Sequence, residues 1–257
     1  MRHAAVATAG GTALALFWAS RPGWSPDMRL WKAVGDAALV LLLVTMAVGP
    51  LARLWRPVGR ALPWRRETGI WFGVLATIHT VLILNGWARW SVLRFLGYEL
   101  VPQLGRTARM EPGFGLANLV GLVALLWAVA LAATSSDYAL RRLGPSAWKW
   151  LHNGAYVVFY LVVLHTGYFL FLHYTASFHK EVPPPDWFRF PFIVGVVVVV
   201  ALQMAAFAGT VRRRRDRQGG PGRDEQIGAE VAAAGRSRPS GVRSPQIRTA
   251  ATRRRSR

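Results

Sequence analysis

Residues 151–174 read LHNGAYVVFYLVVLHTGYFLFLHY, an almost unbroken apolar run that nonetheless carries His152, His165 and His173. A helix needs about 20 apolar residues to cross a bilayer, and this run supplies them. Ionisable groups inside such a span are costly to bury, so they are functional candidates by default.

The rest of the chain repeats the apolar theme. Of 257 residues, 53% are hydrophobic, and the apolar residues come in blocks of membrane length. Spans are expected at about 4–19, 33–51, 68–87, 114–133, 151–174 and 191–211. Gly49-Pro50 is expected to end the second span. Gly69 and Gly73 in the third form a GxxxG pair, which favours close helix approach. Segment 88–112 reads as a loop of mixed charge with room for a short interfacial helix, and 134–150 as a short loop. Pro183, Pro184 and Pro185 stiffen the loop 178–190. The fold class expected is all-α: an integral membrane bundle of six transmembrane helices with a disordered basic C-terminal tail. It divides into a first helix and loop at 1–29, a transmembrane domain at 30–211 and the tail at 212–257. The first block is short and interrupted by Gly10-Gly11, so a cleaved signal peptide is the alternative to a retained helix.

Net charge is +20, and the tail 212–257 alone holds 14 Arg against 4 acids. With the N-terminus in the cytoplasm, the inner segments hold 23 Lys and Arg and the outer ones 9. The inner clusters, such as Arg53, Arg56, Arg60, Arg65 and Arg66, are the denser. Both termini are therefore expected in the cytoplasm of a multi-pass protein of the cell's inner (plasma) membrane. The tail fits anionic lipid headgroups better than nucleic acid, because no aromatic interleaving or folded module accompanies its charge. There is no cysteine. Disulfides, thiolate chemistry, iron–sulfur clusters and Cys-bound zinc are thereby excluded.

His3 is terminal and His179 falls in a loop; both read as solvent-exposed. His79 lies about 12 residues into the third span and His165 about 14 into the fifth. Both then sit roughly 18–21 Å from the inner membrane face. Two imidazoles at one depth on different helices can bind one haem iron from opposite sides, which suits electron transfer. Hydrogen bonding to a carbonyl between helices, or proton relay, is the plainer alternative for either residue. Two His without carboxylate or thiolate make a poor zinc or copper site. His152 lies 13 residues before His165, about 20 Å nearer the cytoplasm and about 140° away on a helical wheel. A partner for it on the third span would fall near Arg65 or Arg66. His173, near the outer end, has the choice of a quinone, a partner protein or water.

Taken together, ATSSDYALRRLGPSAWKWLHNGAYVVFYLVVLH at 133–165, LLLVTMAVGPLAR at 41–53 and RRETGIWFGVLATIHTVLIL at 65–84 resemble the ferric-reductase-like transmembrane family. Within it they resemble the haem-binding membrane subunits of bacterial periplasmic methionine sulfoxide reductase systems. The resemblance implies a haem b protein with His79 and His165 as the axial pair, and it places His152 at a possible second, inner haem. The third span carries one His where ferric reductases usually carry two, which leaves an inner haem or a flavin (FMN) open. Family reductases often continue into a flavin- and NAD(P)H-binding domain. This chain is expected to have none, since GGPGRD at 219–224 follows no expected strand. An electron-transfer subunit is thus expected, fed by a cytoplasmic flavoprotein or a quinol and passing electrons to an external (periplasmic) redox partner. A ferric iron reductase component is the first alternative. A haem-free transporter or assembly factor is the second.

Overall fold

A computed structural model describes residues 1–109, 111, 113–173, 186–218 and 228. The chain divides into two compact units, 1–209 and 210–257. The first holds helices α1 (Arg2–Ala19), α2 (Pro26–Leu54), α3 (Trp64–Asn85), α4 (Val92–Phe95), α5 (Phe114–Ala133), α6 (Asp137–Asn153) and α7 (Ala155–Gly167). It also holds most of α8 (Arg189–Gln218), whose last residues belong to the second unit. Five helical stretches are long and apolar enough to cross a membrane: α2, α3, α5, the run from α6 through Leu172, and α8. Helix α1 forms as expected over 18 residues but falls outside those five.

Helix α2 organises the bundle. Ser25 caps it, accepting from the Met28 amide, and Pro26 fits the first turn, where no N–H is needed. Its buried face, Val34, Ala37, Ala38, Leu41 and Leu42, packs with Phe72 and Leu75 of α3. Val6 of α1, Met46 of α2, Ala128 and Leu131 of α5, Val158 and Phe159 of α7, and Val199 of α8 complete the cluster. Small residues on α2 let its neighbours approach closely, as in other membrane bundles. Leu116, Leu126, Leu164, Val194 and Val197 remain exposed, giving α5, α7 and α8 an apolar outer surface suited to lipid.

The structure corrects several expectations. Pro50 does not stop α2, which runs on to Leu54. Gly49 and Pro50 are both buried, so packing outweighs the one hydrogen bond that proline removes. Of residues 134–150, only 134–136 lie outside helix. Ser136 caps α6, accepting from the Ala139 amide at 3.0 Å, and the backbone kinks at Gly144 (φ 76°, ψ 156°) before Pro145, so that two helical segments follow one another within α6. Gly154 then separates α6 from α7, so His152 and His165 stand on different helices. The expected fifth span is α7 prolonged by a π-helical turn, Tyr168–Leu172.

Segment 88–112 holds the short helix α4, as expected, but also a two-stranded antiparallel hairpin, so the fold is not wholly α. Strand β1 (Tyr98–Val101) pairs with β2 (Arg106–Arg109), with Tyr98 opposite Arg109. Gly97 and Gly105, at φ 85° and 61°, supply the left-handed turns that enter and close it. The GxxxG pair serves two neighbours rather than one: Gly69 faces Thr45 of α2, and Gly73 faces Ala132 of α5. The Pro183–Pro185 loop, His179, GGPGRD and the tail beyond Gln218 lie outside the described residues, apart from residue 228. The part of the tail that is described, up to Gln218, continues α8 as helix.

Candidate functional site

Helix α3 carries His79 and α7 carries His165, and both rings border one cavity. The cavity has about 1390 Å³ of empty space, part of it open to the outside. Its wall is mainly apolar and aromatic, including Leu39, Phe72, Leu125, Val162 and Phe169.

The two imidazoles are held in the same way. His79 Nδ1 lies 2.9 Å from the Trp31 carbonyl of α2, and His165 Nδ1 lies 2.8 Å from the Ala117 carbonyl of α5. A carbonyl only accepts, so in both rings Nδ1 carries the proton and Nε2 keeps its lone pair. One turn beyond each carbonyl stands a glycine. A Cβ on Gly35 would lie 3.1 Å from His79 Cε1, and a Cβ on Gly121 would lie 2.5 Å from His165 Nδ1. The glycines clear the side of each helix so that an imidazole can reach a carbonyl already used within it. Nothing in the periodicity of α2 or α5 singled out Gly35 or Gly121. The signal was there only as a small residue four positions after each accepting carbonyl.

This donor set fits haem iron. Two neutral imidazoles, each with Nδ1 committed to a backbone oxygen and Nε2 available, are what axial ligation requires. The apolar wall fits a porphyrin face. A bare zinc ion fits less well, because no group of three or more His, Cys, Asp or Glu suited to a metal exists among the described residues.

His152 is not brought to this cavity. Its ring stacks on Trp148 with centroids 3.9 Å apart, and its Nε2 lies 3.3 Å from the Thr134 hydroxyl. The sequence placed Arg65 or Arg66 at the matching depth on α3, and Arg65 repeats the His79 arrangement there. Its Nε donates to the Thr45 carbonyl at 3.1 Å, and a Cβ on Gly49, one turn further on, would lie 3.0 Å from its Nη1. A guanidinium thus stands where a second imidazole would be. Arg66 turns away, donating to the Ser135 carbonyl and pairing with Asp137. His3 is exposed, as expected.

At the other end of the cavity, His165, Phe169 and His173 follow one another along one helix face, with ring centroids 5.0 and 5.4 Å apart. His173 Nδ1 lies 2.7 Å from Oε2 of the buried Glu111, and the Tyr168 hydroxyl donates to Oε1. Nothing along the chain pointed to Glu111, which is far from His173 in sequence.

A buried ion network adjoins the same end. Arg21, in the α1–α2 link, contacts Asp36 of α2 at 2.5 Å and Asp186, just before α8, at 2.9 Å. Lys32 of α2 contacts Asp186 at 2.9 Å. Burial works against the Arg21 charge, but Asp36 and Asp186 outweigh it and raise its pKa. Burial likewise works against ionised Asp186, yet Lys32 and Arg21 hold its pKa below the usual carboxylate value. Read along the sequence, these four were unrelated charges at outer helix ends.

Residues 34–163 match the family of ferric reductase like transmembrane components. The chain is 33% identical over 153 residues to the protein-methionine-sulfoxide reductase heme-binding subunit MsrQ of Enterobacter sp. strain 638. That match covers 58% of this chain and 70% of the relative. The proteins of the same name from Salmonella paratyphi B and Salmonella newport are 34% identical over the same shares. No solved structure matches the chain. The family match takes in the third-span histidine, His79, and His152 of α6, and stops two residues short of His165. With its long apolar helices, this is a membrane protein, and it belongs to the family of ferric reductase like transmembrane components.

Proposed function

We propose that this chain is the haem-binding membrane subunit of an electron-transfer system, with His79 and His165 as the axial ligands of one b-type haem. The observation that carries the reading is the pair of imidazoles on one cavity, each with its Nδ1 proton held by a backbone carbonyl. When bound, haem would supply a one-electron carrier, and His79 and His165 would hold its iron. The chain's residues do the rest. Trp31 and Ala117 fix the ring orientations, Gly35 and Gly121 make room for them, and the apolar wall excludes water.

The external acceptor is a methionine sulfoxide reductase, a reading supported by the names of the relatives. The donor is a cytoplasmic flavoprotein or a quinol. The haem domain is 30–211, set in the plasma membrane with both termini cytoplasmic, an orientation supported by the clustered arginines of 52–67. An inner group beside His152, whether a second haem or FMN, would meet the Arg65 guanidinium instead of a second imidazole. The arrangement around His79 and His165 therefore supports one bis-imidazole haem.

The test starts from the purified, dithionite-reduced protein. Reoxidation by a periplasmic methionine sulfoxide reductase with methionine sulfoxide, and slow reoxidation by ferric chelates, is the expected result. Fast turnover with ferric chelates alone would assign the protein to iron reduction instead. A colourless protein from haem-replete cells would assign it to a haem-free transporter or assembly role.

A further inference from the structure

The last turns of α2 carry three residues spaced one turn apart in a single row, Thr45, Gly49 and Arg53. Arg65 of α3 lies along this row. Its Nε donates to the Thr45 carbonyl at 3.1 Å, and a Cβ on Gly49 would lie 3.0 Å from its Nη1. Arg53 comes next, about 6 Å beyond Gly49 along the helix axis. Its positive charge acts on the Arg65 guanidinium. Two guanidiniums are thus set side by side where α2 ends and α3 begins.

No protein acid neutralises them. In the first unit the acids near this end are Glu67 and Asp137, and both are engaged elsewhere. Glu67 pairs with Arg2 at 3.4 Å, and Asp137 pairs with Arg66 at 2.9 Å. Among the described residues, neither Arg53 nor Arg65 has an ion pair. Besides Arg53, the groups within electrostatic reach of Arg65 are Tyr156 and His152, and neither is a carboxylate. Arg65 is only partly exposed, and like charges this close repel. An anion spanning the two guanidiniums removes the repulsion, and the planar fork of each matches a pair of phosphate oxygens.

The surroundings specify which anion. Leu54 and Trp55 follow Arg53 in the chain, and Leu62 and Trp64 precede Arg65; all four are exposed. They stand at the ends of two helices of membrane length, where exposed tryptophan marks the border between lipid and water. Cations beside exposed apolar side chains at such a border match a phospholipid, with its phosphate on the guanidiniums and its acyl chains on the apolar groups. A free phosphate would leave the apolar groups unused. A choline headgroup would bring a third positive charge beside the two already there.

We infer that Arg53 and Arg65 form a headgroup site for one anionic phospholipid of the phosphatidylglycerol type. Thr45 and Gly49 are positioning residues: they hold the Arg65 guanidinium flat against α2. The inference goes beyond the haem reading and does not depend on it.

The test is lipid binding to the full-length protein in mild detergent, followed by native mass spectrometry. Dioleoyl phosphatidylglycerol and dioleoyl phosphatidylcholine are titrated separately. The wild-type protein is expected to bind the first phosphatidylglycerol about tenfold or more tightly than phosphatidylcholine, the size of one charge-assisted hydrogen bond. Arg53→Gln and Arg65→Gln each lose most of that preference, and Arg65→Lys keeps part of it. Arg53 is exposed, so its variant carries the test even where Arg65→Gln fails to fold. Arg141→Gln removes the same charge from an exposed position on α6 and keeps the preference. An equal loss in Arg141→Gln would reduce the effect to net charge and overturn the inference. Absence of a preference in the wild type, or an unchanged one in Arg53→Gln, would overturn it too. Displacement of the lipid by equimolar glycerol 3-phosphate would assign the site to a soluble phosphate and overturn the lipid as its occupant.

Discussion

His165 rests on Gly121 so closely that a Cβ there would lie 2.5 Å from its Nδ1. His79 rests on Gly35 with slightly more room, 3.1 Å to the nearest ring atom. Gly121→Ala is therefore expected to displace His165 and remove most of the haem per chain. Gly35→Ala asks His79 to give only a few tenths of an ångström and is expected to lower haem content partially. Haem quantified per purified chain ranks the two variants. A larger loss in Gly35→Ala than in Gly121→Ala would contradict the packing.

His152 stacks on Trp148 and reaches Thr134, away from the cavity. His152→Ala is expected to leave the visible haem spectrum intact and to cost about 1 kcal/mol of stability through lost stacking and one hydrogen bond. Absorbance spectra and thermal melts of the variant check both parts. Loss of the haem signal with an intact fold would give His152 a ligand role.

Arg65 fills the space left by Gly49 and donates to the Thr45 carbonyl. Arg65→Ala removes that donor and the packing of its stem, so a loss of roughly 1–2 kcal/mol is expected, with the haem of His79 and His165 kept. Haem content and melting temperature measured together separate the two effects. Haem loss at unchanged melting temperature would contradict a purely inner role for Arg65.

Arg21 has two carboxylate partners and little access to solvent, with 2% of its surface exposed. Asp186→Ala removes one partner and also the counterion of Lys32. Breaking a buried pair on one side costs about 3–5 kcal/mol, so this variant is expected to melt far below wild type. The pH dependence has a definite sign. Asp186 is held below its ordinary value in the folded state. Its stabilisation is fully present above the unfolded carboxylate value of about 3.9 and is lost as pH falls through the lower folded value. Thermal melts from about pH 5 down to about pH 2 are therefore expected to show a steeper fall below about pH 4 for wild type than for Asp186→Asn. Parallel curves would remove Asp186 from the acid response.

The sequence made the site legible in outline. Span length and loop charge gave the apolar helices, and counting residues from the inner ends put His79 and His165 at one depth, on a common cavity in the structure. The same count put Arg65 or Arg66 opposite the inner position, and only the structure chose Arg65. Local signals misled where packing or capping overrode them. Segment 134–150 looked like a loop, yet Ser136 starts a helical segment and a second follows the kink at Gly144, which put His152 before Gly154 and off the helix of His165. Pro50 looked like a terminator, yet it is buried within α2. Glu111, Asp186 and the two glycines beneath the imidazoles are defined by neighbours distant in the chain. Periodicity within one helix carries no information about them.

The most direct measurement is a dithionite-reduced minus oxidised visible spectrum, with haem per chain, for wild type, His79→Ala and His165→Ala. The account predicts a b-type spectrum with one haem per chain in the wild type. Neither variant should show it, while both still insert into the membrane at wild-type levels. A full b-type spectrum in either variant would contradict the assignment of His79 and His165 as the axial pair.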